Sequence, residues 1–397
     1  MALRTGAAQT YYANADSVLV RFVGDEIAEY DKDITPLTVM SIKAGRKKSA
    51  YTPKLEVIED SPRGAWVSHN ASAIDSVNTT VVVNDGTLVN VYDLLAVAKA
   101  DSSSAAEEVI HVTAKSNNTL TVTRGIGGAG ADTISATQAL LVIGAAYPEG
   151  AAYGAQRITS KAIAVSYCQI FREPIQITGT QMATKTYGGT SEATHQEQKA
   201  LRQWKVQLEK AAFWSRASES LVENATLRTT MGFKSRVSTN VTDGGTTVTW
   251  KKFAAFGQTA FRYNANPKLF VAAPVVISAI SSFAVNDLFV RNDESVYGVR
   301  LTRLRLPHGD LMLSNNFLME DGISGQAGFD DEAYAVDLGA VELYYLAANG
   351  VSRDVSLLRN VVKAGADKSQ HEFLGECGWL FPSEKRHARL YGASDYA

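Results

Sequence analysis

The chain reads as an α+β protein in which one long amphipathic helix lies between strand-forming segments and a small β module is inserted ahead of it. Three observations predict this. Residues 190–221 run without Gly or Pro, and Leu201, Trp204, Leu208, Ala211 and Ala212 recur at spacings of three and four, which places them on one helical face. Residues 76–147 carry short β-branched runs broken by turn residues. Residues 251–350 alternate between helical and strand periods.

The helix is justified by both of its faces. Glu192, Glu197, Lys199, Arg202, Lys205, Glu209 and Lys210 occupy most of the positions off the apolar stripe. Thr194 and Glu197 have capping-box spacing, and Thr190 or Ser191 serves equally as N-cap. At about 1.5 Å per residue the stretch spans roughly 40 Å, a strut longer than most globular helices. Ahead of it, Tyr167 to Met182 is rich in β-branched and aromatic residues and reads as extended, interrupted at Pro174.

These segments also carry a resemblance. Phe171-Arg-Glu-Pro-Ile-Gln-Ile-Thr-Gly-Thr-Gln181, the Glu/Gln-rich helix, and Arg228-Thr-Thr-Met-Gly-Phe-Lys-Ser-Arg-Val-Ser-Thr-Asn240 follow one another in order. Together they resemble the major capsid proteins of tailed bacteriophages with the HK97-like fold, in a branch with an insertion before the spine helix. The likeness follows most of the chain in order, is sharpest over 165–240, and is a pattern rather than an active-site motif. It implies an N-terminal arm over 1–34 that reaches across neighbouring subunits. It implies an extended loop over 35–75 and 148–164, and an inserted β domain over 76–147. A peripheral domain would comprise 165–250 and 351–397, with a spine helix at about 190–221, and an axial domain would cover 251–350.

Composition narrows the function classes. Lys and Arg number 39 against 41 Asp and Glu, for a net charge of −2. A protein whose main task is binding nucleic acid shows a basic excess, so contact with DNA is expected to be weak and non-specific. Cys168 and Cys377 lie far apart in sequence and read as buried reduced thiols. The N-terminal residues lack the apolar stretch of a signal peptide, and Leu269 to Val285, the most apolar run, is too short and too interrupted to span a bilayer. It reads as a buried strand, Lys268 to Ala273, entering a helix with Pro274 at its first position.

Along the rest of the chain, Tyr51 to Ile58 reads as a strand after a basic turn, and Arg46, Lys47 and Lys48 read as a solvated charge run. In the insert, 79–83, 89–92, 109–113 and 119–123 are short strands, with Asn84-Asp-Gly86 and Ser116-Asn-Asn118 as turns; this composition suits a small barrel or sandwich. Lys251 to Tyr263 and Val275 to Phe283 are helical in character. Strands are expected at 297–301, 311–314, 332–337 and 341–345, and residues 372–381 should return to the long helix.

No motif builds a reaction centre. Gly125-Ile-Gly-Gly-Ala-Gly130 satisfies G-x-G-x-x-G, but neither an opening helix nor an acidic residue about 20 positions on follows, so it reads as a loop. His69, His111, His195, His308, His371 and His387 have no metal-ligand spacing, and His308-Gly-Asp310 reads as a turn. His371, Glu372 and Asp367 have no nucleophile elbow to serve. Asp330-Asp-Glu332 reads as a solvated turn, with a divalent-cation site at a subunit contact as the sharper alternative, and Phe329 as an anchor beside it. Trp204 and Trp214, ten positions apart, are expected on one side of the helix, in the core or against a neighbour. The expectation is therefore not an enzyme, with no catalytic, cofactor-binding or metal-binding residue and no cofactor.

What the resemblance implies is assembly: hexamers and pentamers of this chain closing an icosahedral shell around double-stranded DNA. Portal, scaffolding and decoration proteins are the further partners, with no membrane contact. The shell is part of the virion and is put together in the bacterial cytoplasm. The alternative class is another phage structural or binding protein, such as a decoration, tail-tube or adhesin subunit.

Overall fold

The computed structural model describes residues 35–396, except 61–63, 99–107, 129, 153, 156–158, 160, 185–190, 246, 287–290, 297–298, 320–327, 360–366 and 394. The N-terminal arm expected over 1–34 lies outside the described residues. The described residues divide into two compact units, one formed within 35–57 and 163–396 and the other within 58–162.

Two mixed sheets organise the larger unit. In the first, Lys47–Ala50, Glu342–Ala348, Lys368–Leu380 and Gln169–Thr178 lie side by side in that order. Gln169–Thr178 pairs with Lys368–Cys377 without a break in register, and Pro174 sits opposite Glu372. Proline is tolerated there because this strand is the edge of the sheet, where a missing N–H costs no ladder bond.

Across this sheet lies the long helix, Glu192–Trp214, which at about 1.5 Å per residue is roughly 35 Å long. It buries Ala200, Trp204, Leu208, Ala212 and Phe213, close to the expected stripe. It also ends seven residues earlier than expected. Ser218–Val222 and Ala225–Thr229 form a hairpin instead, turning through Glu223 and Asn224 at φ 49° and 61°. Those two left-handed residues make a tight turn that suits the strand twist, a weaker written signal than Asn-Gly.

The second sheet has seven strands, ordered Val241–Asp243, Ala388–Tyr391, Ala333–Val336, Lys268–Ala272, Gly309–Asn315, Val299–Leu306 and Arg291–Val296. Its centre, Lys268–Ala272, is buried at every position, which explains its near-continuous apolar run. Trp250–Phe261 packs Phe253 and Phe256 edge-on against Phe270. Pro274–Asn286 begins on its proline, as expected.

Sheet membership departs from the linear blocks read in the sequence. Glu342–Ala348 belongs to the first sheet although it falls within 251–350, whereas Val241–Asp243 and Ala388–Tyr391 complete the second from outside that range. Arg291–Val296 is a strand that the residue pattern did not signal.

The smaller unit is a β-barrel. Trp66–Ser68, Ala139–Ala145, Asp93–Val97, Val109–Ser116, Thr119–Thr123 and Thr80–Val82 form an antiparallel sheet in that order, and a bridge between His69 and Val83 joins its two ends. Closure removes the exposed edges. Val67, Val81, Val83, Leu95, Ile110, Val112, Leu120 and Leu140 fill an interior separate from the core of the larger unit. The module is wider than the 76–147 read from texture, since the strand at Trp66–Ser68 is part of its wall.

Candidate functional site

The long helix gathers most of the residues that the sequence singled out. Trp204 is buried and its indole N–H donates to the Phe171 carbonyl at 3.4 Å, while Trp379 donates to the Leu208 carbonyl at 3.1 Å. Residues 372–381 thus return to this helix as expected. Trp214 does not share Trp204's side. Ten residues at 3.6 per turn leave the two about 80° apart, and Trp214 stacks on Phe329 with ring centroids 4.8 Å apart. Each tryptophan therefore packs within its own subunit.

Glu209 corrects the expectation of a uniformly polar outer face. It is fully buried, accepting from the Leu37 and Thr38 amides at 3.0 and 2.8 Å and from the Thr38 hydroxyl at 2.5 Å. These two amides are among the orphan donors at the start of helix Pro36–Lys43, so the carboxylate caps a helix 171 residues away. Burial outweighs the three donors and pushes its carboxyl up to about 7. An isolated polar position on a helix gives no sign of such a distant partner.

The acidic cluster is likewise internal. Glu332 is buried and accepts from Lys234 at 2.6 Å, from Arg389 at 2.7 Å and from the Tyr334 hydroxyl. Burial would raise its carboxyl, but the hydrogen bonds from Lys234 and Tyr334 and the charge of Arg389 hold it below the usual range. Phe329 anchors within the subunit, between Trp214 and the Lys234 ammonium, which lies 4.5 Å from its ring centre. With both oxygens of Glu332 engaged, the solvated-turn reading fails for that residue, and no cation is needed to balance it. Among the described residues no group of three or more His, Cys, Asp or Glu converges for a metal.

Of the basic run, Lys47 and Lys48 open a strand, with Lys48 exposed, and Arg46 precedes it. Lys47–Ala50 pairs in parallel with Leu343–Leu346, Lys47 meets Asp354 at 2.5 Å, and Lys48 meets Glu342 at 2.5 Å. The glycine loop opens no helix: Ile126–Gly128 is one short turn, with Gly127 and Gly128 at φ 81° and 84°. Its root is fixed by a pair that the sequence reading missed. Arg124 holds buried Glu108 through two bonds of 2.5 and 2.6 Å, and Glu108 also accepts from the Gly125 and Asp132 amides.

One arrangement has the form of a hydrolytic triad. His371 Nδ1 lies 2.6 Å from Glu197 and Nε2 lies 2.8 Å from Ser369 Oγ. Neither Glu372 nor Asp367 takes part: Glu372 accepts from Arg172 at 2.7 Å. Ser369 sits within the regular ladder opposite Ile177, where backbone amides serve strand pairing and supply no oxyanion pocket. Arg359 also binds Glu197, at 3.1 Å. The cluster fastens Lys368–Leu380 to the helix.

His69, His111, His308 and His387 lie apart from this cluster. His69 faces the Ser72 carbonyl at 3.0 Å and His111 the Ala146 carbonyl at 3.1 Å. His308 lies in the turn between Val299–Leu306 and Gly309–Asn315. His387 is buried beside Phe233 and Phe381, and burial pushes its pKa down to about 4. Cys168 and Cys377 are free and buried, which pushes both thiols up to about 12. No helix among the described residues is long and apolar enough to cross a membrane.

What this geometry offers, among the described residues, is a framework of joined segments. Residues 5–394 match the family model described as the SU10 major capsid protein. The chain belongs to that family. It is a structural family and not an enzyme family. The chain is 25% identical over 240 residues to the major capsid protein of Pseudomonas phage PaMx41, covering 57% of this chain. The match spans 56% of that curated relative's length. Among solved structures, the cyanophage A-1(L) capsid aligns with a TM-score of 0.48 at 8% identity, over 96% of this chain and 99% of that one. A Mycobacterium phage Bobi structure aligns with a TM-score of 0.47 at 8% identity, over 95% and 96% of the two chains. Within the SU10 family, these residues hold an α+β subunit together.

Proposed function

We propose that this chain is a shell subunit, assembling as hexamers and pentamers into an icosahedral capsid around the double-stranded DNA of a tailed phage. The observation that carries the reading is the match of residues 5–394 to one major-capsid family, on a chain whose buried Glu209 and Glu332 are spent on internal joints. The HK97-like arrangement belongs to the same proposal. The arm is 1–34, the barrel is the insertion in the extended loop, the sheet under the long helix is the peripheral domain, and the seven-stranded sheet is the axial domain. Assembly takes place in the host cytoplasm, with portal, scaffolding and decoration proteins as further partners. Balanced charge supports only weak, non-specific contact with the packaged DNA.

Contacts between subunits are individually modest in this reading, and the closed shell gains its persistence from several of them acting together. Negative-stain electron microscopy of purified protein, with light scattering, tests it. Closed shells, or rings of five and six, are the expected outcome. A uniform monomer or dimer, unchanged across protein and salt concentration, overturns it.

A further inference from the structure

Two features of the larger unit remain unexplained by its internal packing. One is the hairpin formed by Ser218–Val222 and Ala225–Thr229. No residue of it is buried; Leu221 is 77% exposed, and Val222 and Leu227 are about half exposed. The register places Val222, Ala225 and Leu227 on one face and Leu221 on the other, so apolar groups point both ways at the tip. A two-stranded ribbon of this kind is marginal in water unless something covers it.

The other feature is an apolar slot between helix Pro36–Lys43 and the long helix, about 230 Å³ in volume and lined by Val39, Ile42, Leu201, Trp204, Leu343 and Val355. That is below the roughly 300–1,000 Å³ of sites that enclose a cofactor or drug-sized ligand, and suits one or two aliphatic side chains. Lys43 and Lys205 stand exposed at its rim, and Lys47 also lines it.

We propose that the hairpin tip of one copy, Leu221 to Glu223, seats in this slot on a neighbouring copy. The proposal rests on the shell reading and adds a specific contact to it. The tip has the complementary chemistry: two aliphatic side chains with Glu223 exposed at the turn, facing an apolar slot with a lysine rim. The occupant is a second copy because the chain's own tip stands in solvent. Knob and slot are different surfaces of one subunit, so the contact is head-to-tail, the type that closes rings.

The first test pairs Leu221→Cys with Ile42→Cys, since the native cysteines are buried. Mild oxidation should give an intermolecular disulfide ladder extending beyond dimer in the double variant and not in either single variant. A charge exchange provides a second readout. Glu223→Lys and Lys205→Glu should each raise the concentration needed for assembly about threefold, as expected for an exposed ion pair. The combined variant should return close to wild type, because the pair is restored with opposite polarity. All four positions are exposed in the isolated subunit, so unfolding does not confound these variants. Wild-type rings or shells with no ladder, or charge effects that add instead of cancelling, overturn the contact and leave the shell reading standing. Wild-type protein that stays monomeric removes the shell reading itself.

Discussion

Replacing Glu209 with glutamine isolates the energetics of the buried cap. Burial lifts the carboxyl from its ordinary 4.5 to about 7, so the folded chain holds this proton more tightly than the unfolded chain does. Stability from this group is therefore complete below about pH 4.5 and is lost as pH rises through about 7. The gap of about 2.5 pH units, at 1.36 kcal/mol each, amounts to about 3 kcal/mol. The glutamine side chain would not ionise, and it keeps one acceptor oxygen for the amides of Leu37 and Thr38. Its own cost is then constant with pH. Urea unfolding followed by circular dichroism, at pH 5 to 8 and below the assembly concentration, gives the difference between variant and wild type. Glu209→Gln should gain on wild type with rising pH, approaching 3 kcal/mol across the range. A constant difference refutes the reasoning. A difference that moves against the variant would mean that three donors and the helix N-terminus outweigh burial and keep the carboxylate ionised.

Two further predictions concern the core and the insert. Leu208 is 1% exposed beneath Trp379, so Leu208→Asp loses roughly 3 kcal/mol of packing and adds an unpaired buried charge. It should abolish folding, and soluble protein with a native-like circular dichroism spectrum would contradict the core assignment. The barrel should be removable. The Val142 amide donates to the Ala65 carbonyl at 2.7 Å, so a short Gly/Ser linker replacing 66–141 joins ends that already touch. The remaining unit should keep its unfolding midpoint, whereas wholesale unfolding would show that the two cores depend on one another.

What could be read in the sequence was what repeats locally. Leu201, Trp204 and Leu208 announce a helix face, and Lys268–Ala272 announces a fully buried strand, because burial there follows chain period. The partition of strands between sheets was not legible. Glu342–Ala348 and Ala388–Tyr391 look alike as short strands, and only their partners, Lys368–Leu380 for one and Ala333–Val336 for the other, separate them. The helix end is also hidden in the sequence. Ser215 to Leu221 contains no Gly or Pro, and the helix stops where Ser215 turns extended, at φ −67° and ψ 163°, ahead of a hairpin whose turn Glu223 and Asn224 hardly advertise.

Three of the buried carboxylates show why the polar clusters of this chain are architecture. In the sequence Glu108 carries no signal, Glu209 falls off the apolar stripe of its helix, and Glu332 ends an acidic run that suits a cation. Each instead joins segments distant in sequence: Glu108 the root of the glycine loop, Glu209 the helix at Pro36, and Glu332 the residues Lys234 and Arg389. A reactive carboxylate needs an oxygen available to substrate. Here every oxygen already accepts from an amide, a hydroxyl or a cation. Such joints add little net stability over an apolar core of the same shape, since desolvation consumes most of the attraction. Their directional bonds instead fix the segments they connect. For a subunit that must present the same knob and the same slot to each neighbour, that constraint matters more than a larger folding free energy.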